Sequence, residues 1–390
     1  MLPFGGYEFF VLMAVFIGFT WLLKLRLKDP SYRIVLAVFN ALFLVFFYPQ
    51  PLHFFLLIGY AYGMTWLLSN VLQPAKKIWG ILLLLLPMLL VKFGIKVHYY
   101  PFELNNILSF AGLSYACFRI VGYYNERRNG EPMPDVLSYF NFLSFTPTLL
   151  IGPIDRYSHF TASQSRGFSN LNEANATDGW NQLVKGVAFK FIVAECIDRY
   201  WLNIFAAEDI RPVAMLNTMY AYYAYLFFDF AGYSFMALGV GKLMGMEVPL
   251  NFTNPFLAVN PQDFWRRFHI SLGDWLKENF FNPLYLFLTR KKKLKAYPLL
   301  RQNVALLLTF TLMGCWNGFK KHYVLSGLLF GLYSVVHNTY LVKSKQAGRD
   351  IVFGDLDPKW IRIISIFIML NLVAFALYVF SGRFPLIQHS

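Results

Sequence analysis

The chain has 390 residues, 57% hydrophobic and 19% aromatic, with only 14% charged, against about 25% charged in a soluble domain. Mean hydropathy is +0.45 and the net charge is +14. These values exclude an ordinary soluble enzyme. The positive charge, spread over short loops, argues against nucleic acid and for cytoplasmic loops facing anionic headgroups.

A bilayer crossing needs about 20 mostly apolar residues. The first half of the chain carries the runs Phe9–Leu23, Ile34–Tyr48, Leu52–Leu72 and Ile78–Val91. The second half carries Tyr220–Val240, Val304–Cys315, Tyr323–Leu341 and Ile361–Phe380, the shorter ones needing their flanks to span. Met1-Leu2-Pro3-Phe4 lacks the basic start and small-residue cleavage site of a signal peptide, so the first run is expected to stay as a helix. Basic clusters follow at Lys24, Arg26, Lys28 and Arg33, at Lys76-Lys77, at Arg127-Arg128, at Arg290 to Lys295, and at Lys343, Lys345 and Arg349. The positive-inside rule puts them in the cytoplasm and the N-terminus outside. The reading is one all-α polytopic membrane domain over residues 1–390. Cys117, Cys196 and Cys315 show no paired or metal-ligand spacing, and neither a metal nor a bound nucleotide is expected.

Two stretches break this pattern. In residues 141–160 Pro147, Gly152 and Pro153 interrupt an apolar run, so a straight lipid-facing helix is excluded. Residues 249–290 begin in the same way, with Pro249, Asn251, Asn254, Pro255 and Pro261. Broken backbone at membrane depth is tolerated only against protein or a cavity. Both stretches therefore read as re-entrant or interfacial segments beside a central cavity.

The candidate chemistry lies in the second. Phe264-Trp265-Arg266-Arg267-Phe268-His269-Ile270-Ser271-Leu272 places a histidine and two arginines among spanning segments. Ionisable groups there usually face a bundle interior, and histidine moves protons near neutral pH. An interfacial helix with arginines on lipid phosphates is the plainer alternative. Upstream, Asp229 and Tyr233 sit inside an apolar helix. Asp229 should be buried and paired with a tyrosine hydroxyl, Arg266 or Arg267, whether it fixes packing or lines a cavity.

These motifs occur in a fixed order: Gly152-Pro153-Ile154-Asp155-Arg156-Tyr157, Phe228-Asp229-Phe230-Ala231-Gly232-Tyr233-Ser234, Asn251-Phe252-Thr253-Asn254-Pro255-Phe256, then the His269 segment. Together they resemble the membrane-bound O-acyltransferase family, and most closely its branch that D-alanylates teichoic acids. The resemblance implies a ring of tilted transmembrane helices around a central tunnel, in a bacterial plasma membrane. It implies a D-alanyl donor, a thioester on the phosphopantetheine arm of a small acidic carrier protein. The acceptor would be a hydroxyl of an envelope polymer or a small membrane peptide. A polysaccharide O-acetyltransferase of the same family and a transporter or flippase without chemistry stay as alternatives.

The resemblance makes His269 a catalytic candidate and gives Asp229, Tyr233, Arg266, Arg267, Trp316, Asp155 and Arg156 to substrate. The family carries a second histidine in a Trp-His-Gly motif. This chain has Trp316-Asn317-Gly318 there, and asparagine cannot act as a general base. The base role then rests on His269, or moves to His337, with Asn317 left to orient or donate. Lys291, Lys292, Lys293 and Lys295 are candidates for docking the carrier, with lipid phosphates as the plainer partner.

Overall fold

The computed structural model describes residues 3–48, 51–71, 77–92, 98–99, 102–103, 112–127, 131–206, 209–354 and 356–385; Lys76 and Arg128 of the basic clusters lie outside them. Proline sets where several helices begin. Its missing N–H costs nothing in the first turn, where no helical acceptor exists. Helices Pro51–Val71, Pro212–Leu243, Pro298–Asn317 and Pro358–Phe380 all start this way. In the last, the Asp357 carboxylate also accepts the Lys359 N–H at 2.7 Å.

Among the described residues seven helices are long and apolar enough to cross a membrane: Tyr7–Lys24, Asp29–Phe47, Pro51–Ser69, Pro212–Leu243, Pro298–Asn317, Lys321–Ala347 and Pro358–Phe380. They coincide with seven of the eight apolar runs, and the chain is a polytopic helical membrane protein. Phe46 and Phe367, about 70% exposed, show the uncovered apolar surface that lipid would cover. The eighth run, Ile78–Val91, is two short helices, Lys77–Leu84 and Leu86–Lys92. Pro87 has no N–H to offer the Leu83 carbonyl one turn back. The Tyr60 hydroxyl donates to that carbonyl instead, at 2.5 Å. The small extended pair His98–Tyr99 and Phe102–Glu103 is antiparallel.

By its contacts the chain divides into two units: Met1–Val187 with Gly232–Leu250, and Ala188–Ala231 with Asn251–Ser390. In the first, helix Glu173–Val187 meets the end of helix Pro212–Leu243 through glycines. A Cβ on Gly239 would lie 2.6 Å from the Gly179 carbonyl, and one on Gly186 would lie 2.5 Å from the Met236 nitrogen. Lys242 and Asp178 form an ion pair across this contact.

The first unit also holds the broken stretch 141–160. Helix Val136–Ser144 ends in a 3-10 turn, Thr146–Thr148, and helix Tyr157–Gln164 follows. Polar side chains replace the lost helical partners. The buried Arg119 guanidinium donates to the carbonyls of Phe142 at 3.0 Å, Leu143 at 3.2 Å and Thr148 at 2.7 Å. Asn40 donates to Asn141 at 3.2 Å, Asn141 to Gln164 at 2.8 Å, and Gln164 to Ser138 at 3.0 Å. The Glu126 carboxylate accepts the N–H groups of Tyr157 and Ser158 at 3.1 and 3.2 Å, capping the last helix.

In the second unit, helices Pro298–Asn317 and Lys321–Ala347 pack on small residues. A Cβ on Gly314 would overlap the Tyr323 carbonyl, and one on Gly327 would lie 2.5 Å from that of Phe310. Such close backbone approach drives helix association in lipid, where the hydrophobic effect gives little. Asn338 donates to Asn303 at 2.6 Å, and Asn303 to Thr339 at 3.0 Å, across the same pair. Helix Pro358–Phe380 joins through Ser326, whose hydroxyl donates to the Ala376 carbonyl at 2.8 Å.

The glycine contact makes a direct prediction. Gly327→Val should lower stability by about 1–3 kcal/mol or more, because overpacking a backbone contact forces the helices apart. Gly63→Ala, where nothing lies within 4 Å, should melt like the parent or slightly above it. Thermal unfolding of the detergent-purified chains compares them, and a parental melt for Gly327→Val would refute the packing.

Candidate functional site

His269 sits at a sharp corner. Its backbone is left-handed, at φ 51° and ψ 49°, immediately before helix Ile270–Leu276. For a residue with a side chain this costs on the order of 1–3 kcal/mol and needs support. The segment from Asn251 supplies it. The Thr253 N–H donates to the Arg267 carbonyl at 2.9 Å, and the Ile270 N–H to that of Asn251 at 3.0 Å. The Ser271 hydroxyl donates to Asn251 Oδ1 at 2.6 Å. Asn251 thus bonds the chain just past the corner through its backbone and its side chain.

Aromatic rings fix the imidazole. Phe230 meets His269 edge-on at 4.7 Å between centroids, Phe252 meets Phe230 at 5.0 Å, and Phe268 meets Phe252 at 5.2 Å. His269 Nδ1 is shielded from solvent, while the residue keeps part of its surface accessible. Burial pushes the imidazole well below the usual histidine range, which keeps the ring neutral near pH 7 with a lone pair for a proton.

Asp229 is paired, but not as expected. Its carboxylate meets Lys190 Nζ at 2.5 Å, and its side chain is 36% exposed, so it is half-buried. Two of the expected partners are committed elsewhere. Arg267 is held by Asp263 at 2.8 Å one turn away. The Tyr233 hydroxyl, in the first unit, donates to the Pro147 carbonyl at 3.5 Å. Lys190 lies in a π-helical stretch, Ala188–Ala194, where the chain reads Phe189-Lys190-Phe191. A lone cation in so apolar a stretch calls for a carboxylate, and that was the signal available in the sequence.

The other candidates fall into separate places. Arg266, Arg267 and His337 line one groove of about 1030 Å³ in the second unit, between the 257–267 stretch and the helices Lys321–Ala347 and Pro358–Phe380. His269, Asn317 and Trp316 do not line it. Asn317 is exposed in the last turn of helix Pro298–Asn317, one amide N–H donated to the Met313 carbonyl at 3.1 Å. Trp316 beside it is half-buried. Lys291, Lys292, Lys293 and Lys295 are exposed around a 3-10 turn, with Lys291 Nζ 4.4 Å from the Phe287 ring centroid.

Asp155 and Arg156 belong to the first unit, as Tyr233 does. Asp155 accepts from the Arg156 N–H and meets His159 Nδ1, both at 2.8 Å. Burial pushes the Asp155 carboxyl up, against its bond from His159, and the same bond raises the imidazole. Arg156 is exposed. Among the described residues no group of three or more His, Cys, Asp or Glu could hold a metal ion.

The sequence profile of the membrane-bound O-acyltransferase family matches residues 8–379. The chain is 30% identical to the teichoic acid D-alanyltransferase of Bacillus subtilis (strain 168), over 98% of each chain. It is 33% identical to the teichoic acid D-alanyltransferase of Streptococcus thermophilus (strain ATCC BAA-250 / LMG 18311), over 77% of this chain and 74% of that relative. A peptidoglycan O-acetyltransferase of Helicobacter pylori (strain ATCC 700392 / 26695) is 34% identical over 52% of this chain and 38% of its own.

The pairing of Asp229 is open to a double-mutant cycle. Asp229→Asn should cost about 1–3 kcal/mol, near the lower end given the partial exposure. Exchanging the charges, with Asp229→Lys and Lys190→Asp together, should recover most of the loss, whereas Arg266→Gln should add to Asp229→Asn without coupling. Melting temperatures of the purified variants give the coupling, and a stronger coupling of Asp229 to Arg266 than to Lys190 would contradict this pairing.

Proposed function

The chain belongs to the membrane-bound O-acyltransferase family, and from that premise we propose that it transfers a D-alanyl group across the membrane. The donor is the phosphopantetheine thioester of a small acidic carrier protein on the cytoplasmic side. The acceptor is a hydroxyl of an envelope polymer, or of a small membrane peptide that relays the group. The observation that carries it is the likeness to a teichoic acid D-alanyltransferase over 98% of both chains.

The chemistry asks little of the enzyme beyond position and a base. A thioester is already activated. The acceptor oxygen bonds to the acyl carbon, the C–S bond breaks, and the hydroxyl proton ends on the departing thiolate. His269 is the base that carries this proton. Its neutral ring has a lone pair to accept the proton, and the aromatic rings around it hold it in place. Asn317 keeps a second amide N–H beyond the one given to Met313, and that N–H can stabilise the developing oxyanion. Asp229, beside the Phe230 that buttresses His269, and Trp316 orient substrate in this reading. His337 is the alternative base.

Proteoliposomes loaded with a radiolabelled D-alanyl carrier test the proposal. His269→Ala should lower transfer about 100- to 10,000-fold, the range of a lost general base, and His337→Ala should leave it near the parental rate. Undiminished transfer in the double variant would remove both histidines from the mechanism. Passage of label with no covalent product would make the protein a transporter, and transfer of acetyl but not D-alanyl would place it with the O-acetyltransferases.

The exposed lysines make a second test. Changing Lys291, Lys292, Lys293 and Lys295 to Gln should raise the carrier KM and flatten its salt dependence, with membrane insertion intact. Unchanged carrier kinetics would leave those lysines to lipid phosphates.

A further inference from the structure

The groove that gathers Arg266, Arg267 and His337 has a third arginine, Arg362, on helix Pro358–Phe380. Its remaining walls are largely apolar, with Val336, Leu341, Ile361, Ile368, Met369 and Leu372 among them. So it combines three guanidinium groups with a hydrocarbon surface, the two halves of an amphiphile's complement.

The charges are unevenly satisfied. Asp263 holds Arg267 at 2.8 Å and also accepts the Val259 N–H at 3.1 Å. Among the described residues neither Arg266 nor Arg362 forms an ion pair, and both are exposed. Two acids close by in the chain accept hydrogen bonds. Asp350 accepts the Tyr340 hydroxyl and the N–H groups of Val352 and Phe353, and Asp357 caps its helix. The groove also borders the end of helix Lys321–Ala347 with Lys343 and Lys345, followed by Arg349, a basic cluster that the positive-inside rule assigns to the cytoplasmic face. Among the described residues that line the groove, the one acid, Asp263, is paired with Arg267, while Arg266 and Arg362 carry charge without an ion pair; the leaflet they would face is the anionic one.

We propose that this groove binds an anionic glycerophospholipid, its phosphate between Arg266 and Arg362 and its acyl chains along the apolar wall of helices Lys321–Ala347 and Pro358–Phe380. Arginine suits the phosphate because its planar fork gives two parallel N–H donors. Arg267, neutralised by Asp263, borders the phosphate without carrying the charge. The site holds its lipid whether or not the acyl-transfer reading stands, since none of its chemistry involves the thioester.

The test uses the full chain in detergent with phosphatidylglycerol carrying a photoreactive diazirine in one acyl chain. Labelled peptides, mapped by mass spectrometry, should include residues 333–341 and 361–372. Arg266→Gln with Arg362→Gln should lower that labelling roughly tenfold, as loss of a charge-assisted contact does, and leave labelling of helix Tyr7–Lys24 unchanged. Unlabelled phosphatidylglycerol should compete, while phosphatidylcholine and inorganic phosphate should not. Equal competition by phosphatidylcholine would reduce the groove to ordinary lipid-facing surface, and competition by inorganic phosphate alone would make it a site for a soluble anion. Either result, or undiminished labelling in the variant, overturns the proposal. If the double variant elutes as aggregate, Arg362→Gln alone, on an exposed helix face, carries the same comparison.

Discussion

A backbone amide that leaves a helix in apolar surroundings has no water to bond, so it must find a partner within the protein. That constraint governs both broken stretches. Arg119 spends its donors on three carbonyls where helix Val136–Ser144 gives way to a 3-10 turn. Asn251 does the same duty at the His269 corner, using its carbonyl and its side chain. At Pro87 a tyrosine hydroxyl is enough. Each of these polar groups could be mistaken in the sequence for a reactive one. Their burial sets them apart: Arg119 and Asn251 are almost wholly enclosed, whereas His269 keeps accessible surface.

The sequence made the long apolar helices legible because lipid imposes one requirement, a run of about 20 apolar residues, that needs no knowledge of neighbours. It also marked where the backbone must break, since proline and glycine act locally. Helix Glu173–Val187 and its π-helical continuation were not legible, because a helix facing protein and an interface need not be apolar throughout. The same π-helix hid the partner of Asp229. Its register departs from 3.6 residues per turn, so helical spacing gives no guide to which face Lys190 occupies. The motif arginines were legible as important. Their meeting with His337 required tertiary packing that brings 266 beside 337 and 362, and no local pattern encodes that.

Asn317 concentrates the chemical question. A histidine in its place could take up a proton, whereas an amide can only donate and accept hydrogen bonds. The structure ties one of its N–H groups to the Met313 carbonyl, at a helix end where carbonyls lack partners anyway. The residue therefore closes its own helix first. His269, by contrast, holds its ring at a corner whose backbone is left-handed, with Phe230 edge-on to it.

The glycine seam between helix Glu173–Val187 and residues 232–243 has a consequence for biosynthesis. Both partners belong to one folding unit, yet residues 188–231 of the other unit lie between them in the chain. As the ribosome delivers the protein from its N-terminus, Gly179 and Gly186 are made before the surface that fits them. The first 187 residues must wait, incomplete, until the interposed segment has been synthesised and inserted. During that interval the glycine face lacks its partner. Truncation anywhere in the interposed segment would leave that face permanently open.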